Sequence, residues 1–392
     1  MLHADNSLQS TLGGLYMIAK FIIQSLLWWG AGIRCNGTNP WDPQISDDRF
    51  YRRFLLHGSI GLGESYTEGW WGCRELDMFF YRFLHSGLTD LMPRFGVLRI
   101  KAREFLEALK SQQNKTYSRQ GAEQHYELDP RLFFAFLGRY NNYSCLRWNG
   151  VSTIDEAEEQ KMRHIFRKAQ VQPEQRMLDI GCGWGGTLAY AAETEGVTGI
   201  GLTISDSQVA HACKTYGHLP LEFRNQDYND FNEKVDVVIS VGMIEHVGWR
   251  HYHRFFQKIR DSLPPDGLAV VQGIVDLTGR QTRDPWIDKY IWPGGMFLDM
   301  KRVHEAAEGV LYILDEEYSG EDYDKTLMAW RARLEQHREF IVTTFGREEY
   351  LKYYYLFSAT AGGFRAGRMT VGQFVLSPSD LRGTYKSVRL PL

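Results

Sequence analysis

Hydrophobic and polar positions change their pattern near residue 176. From there on, short aliphatic and β-branched runs alternate with helical stretches. The runs predict strands at Met177–Ile180, Val197–Thr203, Leu221–Asn225, Val235–Val241 and Leu268–Ile274, with helices at Gly186–Thr194, Ser205–Tyr216 and His251–Ser262. Such alternation implies an α/β doubly wound parallel sheet that holds ligands beyond its strand C-termini, near the switch in strand order. Residues 1–110 read instead as helices: Leu15–Leu27, Asp47–His57, Leu76–Ser86 and Val97–Lys110. Between them, Gly58–Trp71 is too rich in glycine for a regular helix. Ser111–Gly121 has linker composition and divides an N-terminal helical domain, 1–110, from a domain at 122–392. Helices at Pro130–Leu137 and Thr153–Ala169 lead into the first strand, and the tail from Asp284 is dense in Trp and Tyr.

Composition adds few constraints. The 392 residues suit one large or two modest domains, and a net charge of −3 gives no drive towards nucleic acid. The five cysteines include no C-x-x-C pair, so neither a zinc site nor a disulfide framework is expected, and a reducing compartment fits. Aromatic residues reach 14% and cluster, which suits a large core or a pocket whose ring faces stabilise a cation. Lys20, Gln24 and Ser25 interrupt the apolar run Leu15–Ile33, so it reads neither as a membrane span nor as a signal peptide. Asn6–Trp29, as an amphipathic helix, packs on the body or rests on a bilayer.

The chemistry concentrates at Met177–Gly186, MLDIGCGWGG. A strand enters a turn with glycines at 181, 183, 185 and 186 and leaves as a helix, whose N-terminal N–H groups point at whatever the turn holds. Gly181, Gly183 and Gly186 also fit a dinucleotide motif. Two neighbours favour S-adenosylmethionine. Asp179, two residues before the first glycine, can organise the loop and face a cationic amino group. The second strand ends in Thr203-Ile204-Ser205 rather than the lone acid that grips an NAD ribose.

Eleven segments in order make the chain resemble the cyclopropane-fatty-acyl-phospholipid synthases, the class I methyltransferase branch that includes mycolic acid cyclopropane synthases. They are GSIGLGESYTEGWW, LDMFF, HYELD, YSCLRW, LDIGCGWGG, LTISDSQ, NQDYND, SVGMIEHVG, DPWIDKYIWPGG, DYDKTLMAW and GGFRAG. The resemblance implies a Rossmann-like class I fold with an N-terminal helical lipid-presentation domain. It also implies methylene transfer from S-adenosylmethionine to the cis double bond of an unsaturated phospholipid acyl chain. A homodimer in peripheral contact with the inner face of the membrane, on the cytoplasmic side, is expected with it.

The resemblance also implies roles. Tyr143, Ser144 and the loop Asp179–Gly186, with Gly181, Gly183, Gly185 and Gly186, would hold the amino-acid end of the cofactor. Thr203, Ser205 and Gln208 would hold the ribose, and Gln226, Asp227 and Tyr228 the adenine edge. A bound bicarbonate would be the base, held by Glu245, Tyr323, Cys145, Gln272 and Ile274; His246 is either a participant or a packing residue. No metal is expected. Three positions depart from the family: Gln272 replaces a histidine of the bicarbonate site, Thr360 replaces a cysteine beside GGFR, and HYELDP carries Glu127 and Pro130. Thr360 rules out a covalent thiol there. Alternatives are a same-family methylase that leaves a methyl-branched or methylene chain, an amine methyltransferase, and a cofactor-binding membrane protein without turnover.

Overall fold

The computed structural model describes residues 2–91, 129–279 and 284–389, which fall into two units. One gathers 2–91 with 284–290 and 334–368; the other gathers 129–279, 291–333 and 369–389. The boundary read at 111–121 and the helix at 97–110 lie outside the described residues.

The first unit opens with helices α1 (Leu2–Ala31), α2 (Arg49–Thr67) and α3 (Leu76–His85). Helix α2 corrects one expectation. Residues 59–67 are helical, and the break is confined to Gly58, whose φ of 54° and ψ of −128° only glycine adopts without strain. Burial of Leu62 and Tyr66 draws the segment after the hinge back into a helix. The later segments join this unit through specific contacts. The 347–365 helix packs on α3, where Arg365 Nη1 donates to Asp77 Oδ2 at 2.8 Å. Trp286 packs on Tyr355 with ring centroids 4.5 Å apart, and Glu64 accepts from Lys289 at 2.7 Å and the Tyr290 hydroxyl at 2.6 Å. Helix α1 buries Ala19, Ile23 and Leu27 and exposes Met17, Ile18, Phe21 and Trp29. No helix among the described residues is long and apolar enough to cross a membrane.

The second unit is built on seven strands: β1 (Arg176–Ile180), β2 (Thr198–Thr203), β3 (Leu221–Asn225), β4 (Val237–Val241), β5 (Leu268–Asp276), β6 (Tyr312–Tyr318) and β7 (Met369–Ser377). Their order is β3-β2-β1-β4-β5-β7-β6. β1 to β5 run parallel, while β7 is antiparallel to both β5 and β6. Helices α4 (Ile154–Lys168), α5 (Gly186–Glu195), α6 (Asp206–Tyr216), α7 (Tyr252–Ser262), α8 (Met300–Ala307) and α9 (Gly320–Gln336) accompany the sheet. The five parallel strands and their helices lie where the sequence places them, and order reverses between β1 and β4, which opens the ligand crevice at their C-terminal ends.

Strands β6 and β7 have no counterpart in the sequence reading. β6 carries Asp315, Glu316 and Glu317 in succession, so it lacks the alternation that marks a strand. Asp315 and Glu317 are half-buried or buried because Lys168 lies 3.3 Å from the first and 2.6 Å from the second, with Arg389 also on Asp315.

Candidate functional site

The turn after β1 is shaped by what each glycine faces. A Cβ on Gly186 would lie 1.8 Å from the Tyr140 carbonyl oxygen, so this residue fixes how closely the 140–147 segment approaches α5. Gly183, at φ 55°, faces open space: a Cβ there would meet nothing within 4 Å. Gly181 N and Cys182 N both donate to Leu202 O at 2.9 Å, which ties the turn to β2. Asp179 is buried at the end of β1. Burial lifts its carboxyl to about 7, against the pull of the Lys161 ammonium.

Helix α4 holds the 140–147 segment over this turn. Its Thr153 and Glu156 form a reciprocal cap, which sets the register of the helix. Glu158 then accepts from Tyr140 N and Asn142 N, each at 2.8 Å. Lys161 Nζ donates to Asn142 Oδ1 at 3.0 Å and to Ser144 Oγ at 2.6 Å, and Thr187 Oγ1 on α5 donates to Asn142 Oδ1 at 2.6 Å. Lys161 is fully buried, and desolvation lowers it to about 8. The Tyr143 ring, carried by this segment, lies 5.2 Å from Trp330, which is itself 6.1 Å from Tyr323 in an edge-on arrangement. Aromatic faces are thereby concentrated beside the crevice.

Past Ser144, helix α9 takes over. Leu146 N donates to Thr326 Oγ1 at 3.1 Å, and Trp148 N donates to Asp322 Oδ1 at 3.1 Å. These bonds anchor the stretch that contains Cys145 to the turn of α9 that contains Tyr323. Cys145 is buried, which pushes its thiol up and keeps it neutral.

Glu245 follows β4. Its Oε1 accepts from Ile274 N on β5 at 2.8 Å, and its Oε2 is buried without a hydrogen-bond partner among the described residues. Desolvation raises this carboxyl to about 7. An acceptor left open in this way fits an anion that carries an O–H, such as bicarbonate. Gln272 lies two residues before Ile274 on β5, so both side chains project to one face of the sheet. Its Oε1 accepts from Gln373 Nε2 at 2.7 Å, and Gln373 Oε1 accepts from Arg147 Nη2 at 3.3 Å. Two separate sets of contacts result: Glu245 with Ile274, and Gln272 with Gln373 and Arg147.

The other expected positions have local duties. Thr203 Oγ1 donates to Gln208 Oε1 at 2.6 Å, and Ser205 Oγ caps α6 by accepting from Gln208 N at 3.3 Å. Asp227 Oδ1 accepts from Asn229 N at 2.8 Å, and Tyr228 packs edge-on against Phe255 at 5.4 Å. Gln226 N donates to Thr203 O at 2.9 Å, which brings the ends of β2 and β3 together. Desolvation lowers the pKa of His246 to about 4, which favours its neutral form. Thr360 is buried in the 347–365 helix of the first unit; Glu127 lies outside the described residues, and Pro130 opens a short helix. No metal-holding cluster of His, Cys, Asp or Glu occurs among the described residues.

Several site residues escape the sequence reading: Glu158, Lys161, Arg147 and Gln373. A signal existed for two of them. Glu158 and Lys161 occupy the apolar stripe of α4 alongside Ile154, Ala157, Met162 and Ile165, and charges on a buried stripe need partners.

The family model for mycolic acid cyclopropane synthetase matches residues 112–374. The chain is 35% identical over 362 residues to the cyclopropane-fatty-acyl-phospholipid synthase of Escherichia coli K12, covering 92% of this chain and 93% of that one. Among solved structures, the cyclopropane synthase MmaA2 from Mycobacterium tuberculosis aligns with a TM-score of 0.63 at 29% identity, over 66% of this chain and 98% of that one. The mycolic acid cyclopropane synthase CmaA1, complexed with SAH and CTAB, aligns with a TM-score of 0.62 at 28% identity, over 66% and 98%.

The burial of Glu245 has a consequence for stability. A carboxyl raised from 4.5 to about 7 stabilises the fold while protonated, and that stability is lost as pH rises through about 7. Glu245→Gln should therefore unfold at higher urea than wild type near about pH 8, with a gain of up to about 3 kcal/mol, and match it near about pH 4. The same difference at both pH values would contradict a desolvated carboxyl.

Proposed function

We propose, from the premise that this chain belongs to the mycolic acid cyclopropane synthetase family, that it cyclopropanates the cis double bond of unsaturated phospholipid acyl chains. It is an S-adenosylmethionine-dependent methyltransferase. The observation that carries the phospholipid reading is the extent of the likeness to the Escherichia coli enzyme, which spans 92% of this chain and so extends into the helical region before residue 112.

When bound, S-adenosylmethionine supplies the methyl group and bicarbonate supplies a base. Asp179, Gly181, Gly183, Gly185 and Gly186 would hold the amino-acid end of the cofactor with Tyr143 and Ser144; the openness in front of Gly183 supports this. Thr203, Ser205 and Gln208 would line the ribose, and Gln226, Asp227 and Tyr228 the adenine. The double bond is a weak nucleophile, so the protein's contribution is orientation, exclusion of water and stabilisation of positive charge. The faces of Tyr143, Tyr323 and Trp330 suit the last task. Tyr323, Gln272 and the backbone and side chain of Cys145 would hold bicarbonate against Glu245, with Ile274 nearby. With a carboxyl near 7, Glu245 can receive a proton and release it again at cellular pH.

Lipid access belongs to the same proposal. Phe21 is 73% exposed and Trp29 83%, on the face of α1 opposite its buried residues. An apolar face of this kind suits docking on the inner face of a membrane, by a homodimer in peripheral contact with it.

Two measurements test these readings. Pure protein with S-adenosylmethionine and vesicles of cis-unsaturated phospholipid should yield acyl chains one methylene heavier, with upfield ring protons in NMR. Vinyl protons at that mass would replace the ring reading with a methylene product, and unchanged lipid would refute both. Replacing Trp28 and Trp29 with Ser should weaken vesicle co-sedimentation more than it lowers activity on detergent-dispersed lipid. Equal losses would reassign the pair to folding.

A further inference from the structure

The side-chain amide of Gln272 has two ends of opposite character, a carbonyl that repels an anion and an NH2 that binds one. Which end faces the site decides whether this residue helps or opposes bicarbonate. Its neighbours determine the answer by donor and acceptor count. Arg147 is 5% exposed, and its guanidinium carries only donors. Glu317 at 2.9 Å and Asp322 at 3.3 Å hold it in place. Gln373 must therefore turn its carbonyl to Arg147, which it does at 3.3 Å, and its NH2 to the other side. That NH2 meets Gln272 Oε1 at 2.7 Å, across the directly paired register of β5 and β7. With its carbonyl held by Gln373, Gln272 keeps its own two N–H donors for what lies beyond.

We propose that Gln373 and Arg147 are positioning residues that set the polarity of the Gln272 amide, so that it presents its NH2 to the bound anion. The inference rests on the bicarbonate reading above and adds two residues to it. The relay is also self-consistent chemically. A donor-only head forces every later amide into one orientation, so Gln272 cannot flip without leaving two donors facing each other between the β5 and β7 side chains. In this chain the neutral Gln272 thus does part of what a charged histidine would do, with its direction fixed by a guanidinium two residues removed through hydrogen bonds.

The test reverses the polarity. In Gln373→Glu the new carboxylate still accepts from Arg147 but cannot donate, so Gln272 must turn its NH2 towards it and offer its carbonyl to the anion. In full-length protein, the dissociation constant for bicarbonate in calorimetric titration and the bicarbonate concentration giving half-maximal rate on phospholipid vesicles should both rise about tenfold, while the KM for S-adenosylmethionine stays within about twofold. Adding Gln272→His to Gln373→Glu should restore much of the bicarbonate response, because an imidazolium donates from both nitrogens. Should Gln373→Glu fail to fold, Gln373→Leu decides the matter, since an unanchored Gln272 should raise the half-maximal concentration about threefold or more. A wild-type enzyme that responds to bicarbonate while the folded variants respond identically would overturn the relay alone. A wild-type rate indifferent to added bicarbonate in depleted buffer would overturn the anion reading and the relay together.

Discussion

The site depends on two charged side chains buried inside the protein. Lys161 and Glu158 are both fully buried, one turn apart on α4, and neither reaches the other's usual solvent. Burying such ions costs several kcal/mol each unless hydrogen bonds take the place of water. Here the replacements are Tyr140 N, Asn142 and Ser144. The 140–147 segment is thus the solvation shell of two buried charges, which is why an irregular stretch of backbone can hold a definite position. Losing the hydrogen bonds to Asn142 would leave a buried charge unsolvated, at about 1–3 kcal/mol or more. Tyr143, Ser144, Cys145 and Arg147 inherit their positions from that constraint.

A second consequence is electrostatic. The same dryness that makes α4's charges depend on their partners raises Asp179 and Glu245 to about 7 and lowers His246 to about 4. Groups that would be fixed in charge at the surface become able to exchange protons near neutrality, or to remain neutral beside a forming cation. Burial of these side chains near the ends of β1 and β4 is the common cause of all three shifts.

How much of this was legible follows from the kind of signal each part leaves. The five parallel strands and the glycine turn declare themselves because aliphatic runs and glycine spacing are local. Strand β6 does not, since its acids are buried by partners as distant as Arg389, and an acid-rich segment resembles surface until those partners are known. The helix through residues 59–67 was hidden by four nearby glycines, although only Gly58 bends the chain. Gln272 was readable as a departure, but its orientation was not, because Arg147 and Gln373 reach it from a loop and an unforeseen strand. Joining of 284–290 and 334–368 to the N-terminal helices likewise rests on contacts such as Arg365 with Asp77, 288 positions apart.

The proposed S-adenosylmethionine site is the turn after β1. Isothermal titration of the wild-type protein against Asp179→Ala and Gly183→Val tests it most directly, with circular dichroism to establish that each variant is folded. Wild type should bind one cofactor per chain. The variants should lose binding, the first through removal of a charge partner and the second because a side chain enters the space in front of residue 183. Unchanged affinity in either folded variant would place the cofactor elsewhere.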